Sequence, residues 1–148
     1  MKISIGADHA GFTLKQVIGE WLKEKGHEVV DKGPESTKSV DYPDFALAVA
    51  GDVANNESEK GILVCGSGVG VTIVANKVKG IRAANCYNEE IAALSRAHND
   101  ANVLTIGARF VEAEKALQIV EVWLDQEFEG ERHQKRLEKI ANIERENG

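Results

Sequence analysis

The chain has 148 residues, of which 43% are hydrophobic and 28% charged, and its formal net charge is -6. That length suits one ordinary domain with a substantial core, and the acidic balance argues against a nucleic-acid or anionic-membrane surface. The run Met1-Lys2-Ile3-Ser4-Ile5 is too short for a signal peptide, no later run approaches a membrane span, and two cysteines suit reduced thiols, so a cytoplasmic protein is expected.

Lys2 to Ala7 reads as a first strand, with Asp8-His9-Ala10-Gly11 turning beyond its carboxyl end. Leu14, Val17, Ile18, Trp21 and Leu22 fall at helical spacing over 12–25, and Gly26 stands where a C-terminal cap glycine belongs. A second strand over 27–32 precedes a polar loop over 33–44 containing Tyr42-Pro43, of a length that is more often functional than idle. Phe45, Ala46, Val49, Ala50 and Val53 predict a helix over 45–55. The third strand, Gly61 to Cys65, empties into Gly66-Ser67-Gly68-Val69-Gly70, and a helix over 71–77 follows.

Ile81 to Ala84 predicts a fourth strand, and Asn88 caps a helix that ends at His98-Asn99-Asp100. Val103 to Ile106 is the fifth strand. Ala116, Leu117, Val120 and Trp123 mark one face of a helix over 112–124. A last helix over about 131–146 carries only Leu137, Ile140 and Ile143, so it is expected to lie across a surface, such as that of a partner subunit.

Strands alternating with helices define an α/β fold: a three-layer α/β/α sandwich on a five-stranded parallel Rossmann-like sheet, one domain over 1–148, with its strand order left open. Ligands of such sheets bind beyond the carboxyl ends of the strands. Asp8-His9, Cys65 with its glycines, and Gly107-Ala108-Arg109 all follow strand ends, so they are expected to face one crevice.

The glycine loop fits neither common nucleotide motif. A dinucleotide fingerprint needs G-x-G-x-x-G, but Val71 stands where its last glycine belongs; a P-loop needs Gly-Lys, but Val71 follows Gly70. A cysteine phosphatase loop would need an arginine at that same position. A thiol beside an anion-stabilising loop of other chemistry remains. Glycines there admit a ligand to the main-chain N–H groups.

Cys65 alone would read as a buried structural thiol, but its place beside that loop and a helix start favours a reactive thiolate. Cys86 has no such company and reads as structural. His9 and His98 each have ordinary uses as caps or surface residues, and Asp8 beside His9 raises the functional reading. Asn99 is a candidate for the left-handed residue ending its helix. Arg132 and Arg136, four apart with His133 between them, share a helix face and suit a phosphate clamp. No ligand spacing for a metal is visible in the sequence, so none is expected.

Taken jointly, Gly6-Ala7-Asp8-His9-Ala10-Gly11, Asp41-Tyr42-Pro43, Cys65-Gly66-Ser67-Gly68-Val69-Gly70, Ala75-Asn76-Lys77, Gly80-Ile81-Arg82-Ala83, Ser95 to Asn102 and Gly130-Glu131-Arg132-His133 resemble the type B ribose-5-phosphate isomerases and their allose- and galactose-6-phosphate relatives. The resemblance runs nearly end to end. It implies a metal-free, cofactor-free aldose–ketose isomerase that interconverts ribose 5-phosphate and ribulose 5-phosphate through an enediolate, a homodimer or a tetramer with sites at the subunit interface. It further implies Cys65 as the base, His98 of the neighbouring subunit as the ring opener with Asn99 beside it, and Ser67 near the reacting carbons. Asp8 and His9 would hold the sugar hydroxyls and phosphate end, the backbone of Gly66, Ser67, Gly68, Val69 and Gly70 the enediolate oxygen, and Arg109, Arg132 and Arg136 the anion. A subgroup of the family places its base, a glutamate, at the position of Val71. A six-carbon phosphosugar is the alternative substrate, and a non-catalytic phosphosugar-binding module the alternative of another class.

Overall fold

The computed structural model describes residues 1–148. Strands β1 (Lys2–Ala7), β2 (Glu28–Asp31), β3 (Lys60–Cys65), β4 (Ala83–Asn85) and β5 (Val103–Gly107) pair in parallel in the order β2-β1-β3-β5-β4. Around them lie α1 (Phe12–Glu24), α2 (Tyr42–Ala54), α3 (Val69–Ala75), α4 (Glu89–Ala97), α5 (Ala113–Asp125) and α6 (Arg132–Asn147). This is the expected three-layer α/β arrangement. The chain winds from β1 out to β2, then crosses to β3 on the other side of β1, so the crevice between the ends of β1 and β3 is a topological switch point.

Burial follows from that layering. Ile62, Leu63 and Val64 of β3 are buried in succession, as a central parallel strand with both faces covered requires. On one face Leu14, Ile18, Ile119, Val120 and Trp123 of α1 and α5 pack with Ala92 of α4 against Ile5, Ile62 and Leu104. The opposite face is thinner, built from Ala46, Val49, Ala50 and Val53 of α2 and Val71 and Ala75 of α3. Its outer side leaves Leu47, Val69 and Ile73 more than half exposed.

Several local expectations shift, each for a visible reason. On α1, Leu14, Ile18 and Leu22 are buried but Val17 is exposed. Lys15 is enclosed instead, with Nζ 2.8 Å from both Asp31 Oδ1 and the Pro34 carbonyl. Helix α2 begins at Tyr42, three residues before Phe45, because Asp41 is extended and Pro43 falls in the first turn, where a missing N–H costs nothing. The intervening loop is shorter accordingly. Strand β4 begins at Ala83 rather than Ile81: the Arg82 N–H donates to Asn102 Oδ1 at 2.8 Å instead of joining the ladder. Helix α3 begins at Val69, two residues earlier than expected, so Val69 and Gly70 belong to its first turn. Asp100, not Asn99, takes the left-handed conformation after α4, with φ 47°.

Only His133 is buried among the residues of α6, and Ile140 and Ile143 are exposed. No helix is long and apolar enough to cross a membrane.

Candidate active site

The candidate residues collect at two opposite edges of the sheet. At the carboxyl edge, Asp8 is buried and its Oδ1 accepts the Gly11 N–H at 2.8 Å, which turns the chain from β1 into α1. Gly11 lies against the Val64 carbonyl, where a Cβ would collide, so this turn is pressed onto the end of β3. His9 Nδ1 accepts the Val40 N–H at 3.3 Å. That contact ties the loop between β2 and α2 to the site and leaves the ring proton on Nε2, free to donate.

Cys65 ends β3 with only 5% of its surface exposed, and its Sγ accepts the Gly68 N–H at 3.1 Å. Gly68 has φ +83°, and a Cβ there would lie 2.5 Å from Asn85 Oδ1, so conformation and space both require glycine. Ser67 Oγ accepts the Val69 N–H at 3.1 Å, closing a short turn just before α3. The N–H groups of Gly66, Ser67 and Gly70 have no partner within the chain, which leaves three donors around the thiol. The Arg109 guanidinium lies over Gly66, and the Arg109 backbone N–H donates to the Gly66 carbonyl at 3.1 Å. The Ala108 N–H similarly donates to the Cys65 carbonyl at 2.8 Å. The ends of strands β1, β3 and β5 thus lie side by side at this edge.

Cys86 has a different setting, away from the glycine loop. It is fully buried, its Sγ lies against Ser95 Oγ at 3.9 Å, and burial pushes its thiol up to about 11. It stays protonated and structural.

At the amino edge, His98 follows the last turn of α4 and stacks on His133 of α6, with centroids 4.2 Å apart and 15° between the planes. Glu129 Oε1 stands 3.9 Å from His98 Nε2 and 3.7 Å from His133 Nε2. His133 is buried, and its Nε2 has no hydrogen-bond partner. Enclosure, together with the positive charges of His98, Arg132 and Arg136, holds its pKa below the usual imidazole value, despite the opposing pull of Glu129. Arg132 and Arg136 are exposed beside it. Asn99 is exposed as well, and its carbonyl accepts from Arg82 Nε at 3.0 Å.

Glu129, His98 and His133 place ligand-type atoms within 4.8 Å of one another, a grouping the sequence spacing does not reveal. The two guanidiniums alongside favour an anion there over a cation. Sequence reasoning also misses Tyr42, whose ring packs on Gly70 so closely that a Cβ would lie 2.6 Å from its Cε1. The Tyr42-Pro43 turn is its only local signal.

One chain does not bring the two groups together. Cys65 pairs in register with Gly107, the last residue of β5, whereas His98 precedes Val103, the first. The four residue steps of β5 alone span about 13 Å at ~3.3 Å per residue.

A thiol set among free main-chain donors, at the switch point of a doubly wound parallel sheet, defines an α/β protein built to hold a small anionic ligand. A family model described as Ribose/Galactose Isomerase matches residues 3–140, and the chain belongs to that family. The ribose-5-phosphate isomerase B of Escherichia coli (strain K12) is 52% identical over 143 residues, 97% of this chain and 96% of that protein. The D-erythrulose-4-phosphate isomerase of Pectobacterium atrosepticum is 42% identical over 145 residues, 97% of this chain and 95% of that one. The crystal structure of ribose-5-phosphate isomerase B from Mycoplasma genitalium with bound ribulose 5-phosphate superimposes with a TM-score of 0.95 at 49% identity, covering 98% of this chain and 97% of that chain.

Proposed function

We propose that the protein interconverts ribose 5-phosphate and ribulose 5-phosphate, an aldose–ketose isomerisation through an enediolate. The observation that carries this reading is the Cys65 thiol at 3.1 Å from the Gly68 N–H, inside a loop where the N–H groups of Gly66, Ser67 and Gly70 are free. Cys65 takes the proton beside the carbonyl and returns it to the neighbouring carbon. The free N–H groups of Gly66, Ser67 and Gly70 receive the enediolate oxygen as charge develops, each contributing on the order of 3 kcal/mol. Val71 is fully buried and apolar, so no carboxylate competes with Cys65 as base. Ser67, exposed at the loop tip, stands beside the reacting carbons. The free oxygen of Asp8 and the Nε2–H of His9 suit the sugar hydroxyls and phosphate end, and Arg109 adds positive charge.

Ring opening falls to His98, with Asn99, from a second copy of the chain. The length of β5 between Cys65 and His98 supports this division, as do the exposed Val69 and Ile73 on α3 next to the loop, which a partner subunit would cover. Arg132 and Arg136 of that copy would close on the phosphate, supplying binding energy that fixes the reacting carbons against Cys65. The reaction is metal-independent on this reading, since the guanidiniums beside Glu129 and His133 oppose a cation. The working unit is a homodimer of single domains acting in the cytoplasm.

The test is an assay of the purified protein on ribose 5-phosphate, allose 6-phosphate and erythrulose 4-phosphate, alone and as Cys65→Ala. The highest kcat/KM is expected on ribose 5-phosphate, and Cys65→Ala should abolish turnover while still binding the sugar. Full activity in Cys65→Ala would overturn the mechanism, and a preference for either other sugar would reassign the substrate.

A further inference from the structure

Thr105 is a fully buried hydroxyl on the otherwise apolar strand β5, where valine would fill the same space. Its Oγ1 lies 2.5 Å from Thr72 Oγ1 and 3.3 Å from Asn85 Oδ1. Thr72, four residues beyond Gly68 on α3, donates its hydroxyl proton to the Gly68 carbonyl at 2.6 Å, while the backbone Thr72 N–H reaches that oxygen only at 3.3 Å. With the Thr72 proton so committed, the single Thr105 hydroxyl proton is shared between two acceptors, Thr72 Oγ1 and, at the longer distance, Asn85 Oδ1. The same Gly68 whose carbonyl is gripped here presents its N–H to Cys65 Sγ. Its left-handed backbone is held on one side by Thr72 and on the other by Asn85 Oδ1, which sits where a Cβ would go.

We propose that Thr72, braced by Thr105, is a positioning residue for Cys65: its hydroxyl holds Gly68 in the left-handed conformation that aims the Gly68 N–H at the sulfur. This deepens the isomerase reading and rests on it only for the name of the reaction. A left-handed glycine has a broad range of accessible backbone angles, and a helix start beside it is free to fray. The hydroxyl pair removes that freedom from the side facing β5. An N–H so aimed stabilises the negative charge that develops on the sulfur when it reacts. Charge-assisted bonds of this kind are sensitive to aim, so a small rotation of the Gly68 peptide is enough to weaken it.

The test uses the rate of iodoacetamide alkylation at Cys65 against pH, with the labelled cysteine assigned by peptide mass spectrometry so that Cys86 does not interfere. This readout does not require turnover, so it stands or falls separately from the identity of the substrate. Thr72→Val keeps the shape and deletes the hydroxyl; its alkylation at pH 7 should slow about tenfold, and its whole profile should differ from that of the wild type. Thr72→Ser should restore the wild-type profile, and Thr105→Val should produce an intermediate one. A purely structural role would lower the melting temperature of Thr72→Val and leave the Cys65 profile where it is, which would overturn the proposal. Should Thr72→Val fail to fold, Thr105→Val decides: an unchanged profile there, with Thr72→Ser also unchanged, removes the strut.

Discussion

Cys65 and His98 stand at opposite edges of one sheet, the first in register with the last residue of β5 and the second before its first. On the proposed reading, each edge carries half of what an isomerase needs. The carboxyl edge has the thiol, the open donors, Asp8, His9 and Arg109; the amino edge has the stacked histidines and the arginine pair. A second copy of the chain, laid against the thin α2–α3 face, is the economical way to unite them.

The arginine pair makes a separable contribution on this reading. Because Arg132 and Arg136 are exposed and carry no ion pair, replacing both with alanine should leave the melting temperature nearly unchanged. Steady-state kinetics should show KM for ribose 5-phosphate rising by about a hundredfold, as expected for losing two charge-assisted contacts, with a far smaller change for unphosphorylated ribose. An equal effect on both sugars would remove the phosphate role.

Gly68→Ala should be costly in two ways. The new Cβ meets Asn85 Oδ1 at 2.5 Å, and φ +83° is strained for any L side chain. A loss of about 1–3 kcal/mol in urea unfolding is expected, together with a drop in kcat that exceeds any change in KM, since the thiol loses its aligned donor. Gly80→Ala provides the comparison: φ is +86° there, with open space around the new methyl and no contact with the thiol, so stability should fall without loss of kcat beyond it.

Protonation of His133 is opposed by enclosure and by the charges of His98, Arg132 and Arg136, so its pKa in the fold lies below the unfolded value of 6.5. Between those two values the unfolded chain binds a proton that the folded chain refuses. Stability should therefore fall as pH drops through about 6.5 toward the folded pKa, and level off below it. Urea midpoints at pH 7.5 and 5.5 check this: His133→Asn should narrow the difference between them, and an equal difference in the variant would contradict it.

Much of this molecule is legible locally. The βα alternation, the Asn88 cap, whose Oδ1 accepts the Ile91 N–H at 2.8 Å, and the cap glycine Gly26 at φ +90° all depend on residues a few positions apart. Cys65 is legible for the same reason, since strand, thiol and glycines are contiguous. What is hidden depends on distance along the chain. The neighbouring of β1 and β3, and the stacking of His98 on His133, join segments with no shared periodicity. Val69 and Gly70 read as loop because glycine is a poor helix former, yet they open α3, where first-turn N–H groups need no helical partner and glycine costs little. Thr105 reads as one more β-branched strand residue, and only its neighbour on α3 distinguishes its hydroxyl.

The central claim, that one site draws its base from one chain and its ring opener from another, is tested most directly by complementation. Cys65→Ala and His98→Gln should each be inactive toward ribose 5-phosphate as pure dimers. After subunit exchange at equal concentrations, half of the dimers are mixed, and one site in each mixed dimer has both native residues. Activity should return to about a quarter of the wild-type value per chain. No recovery, with mixed dimers demonstrated by native mass spectrometry, would mean that Cys65 and His98 do not serve a common site across two subunits.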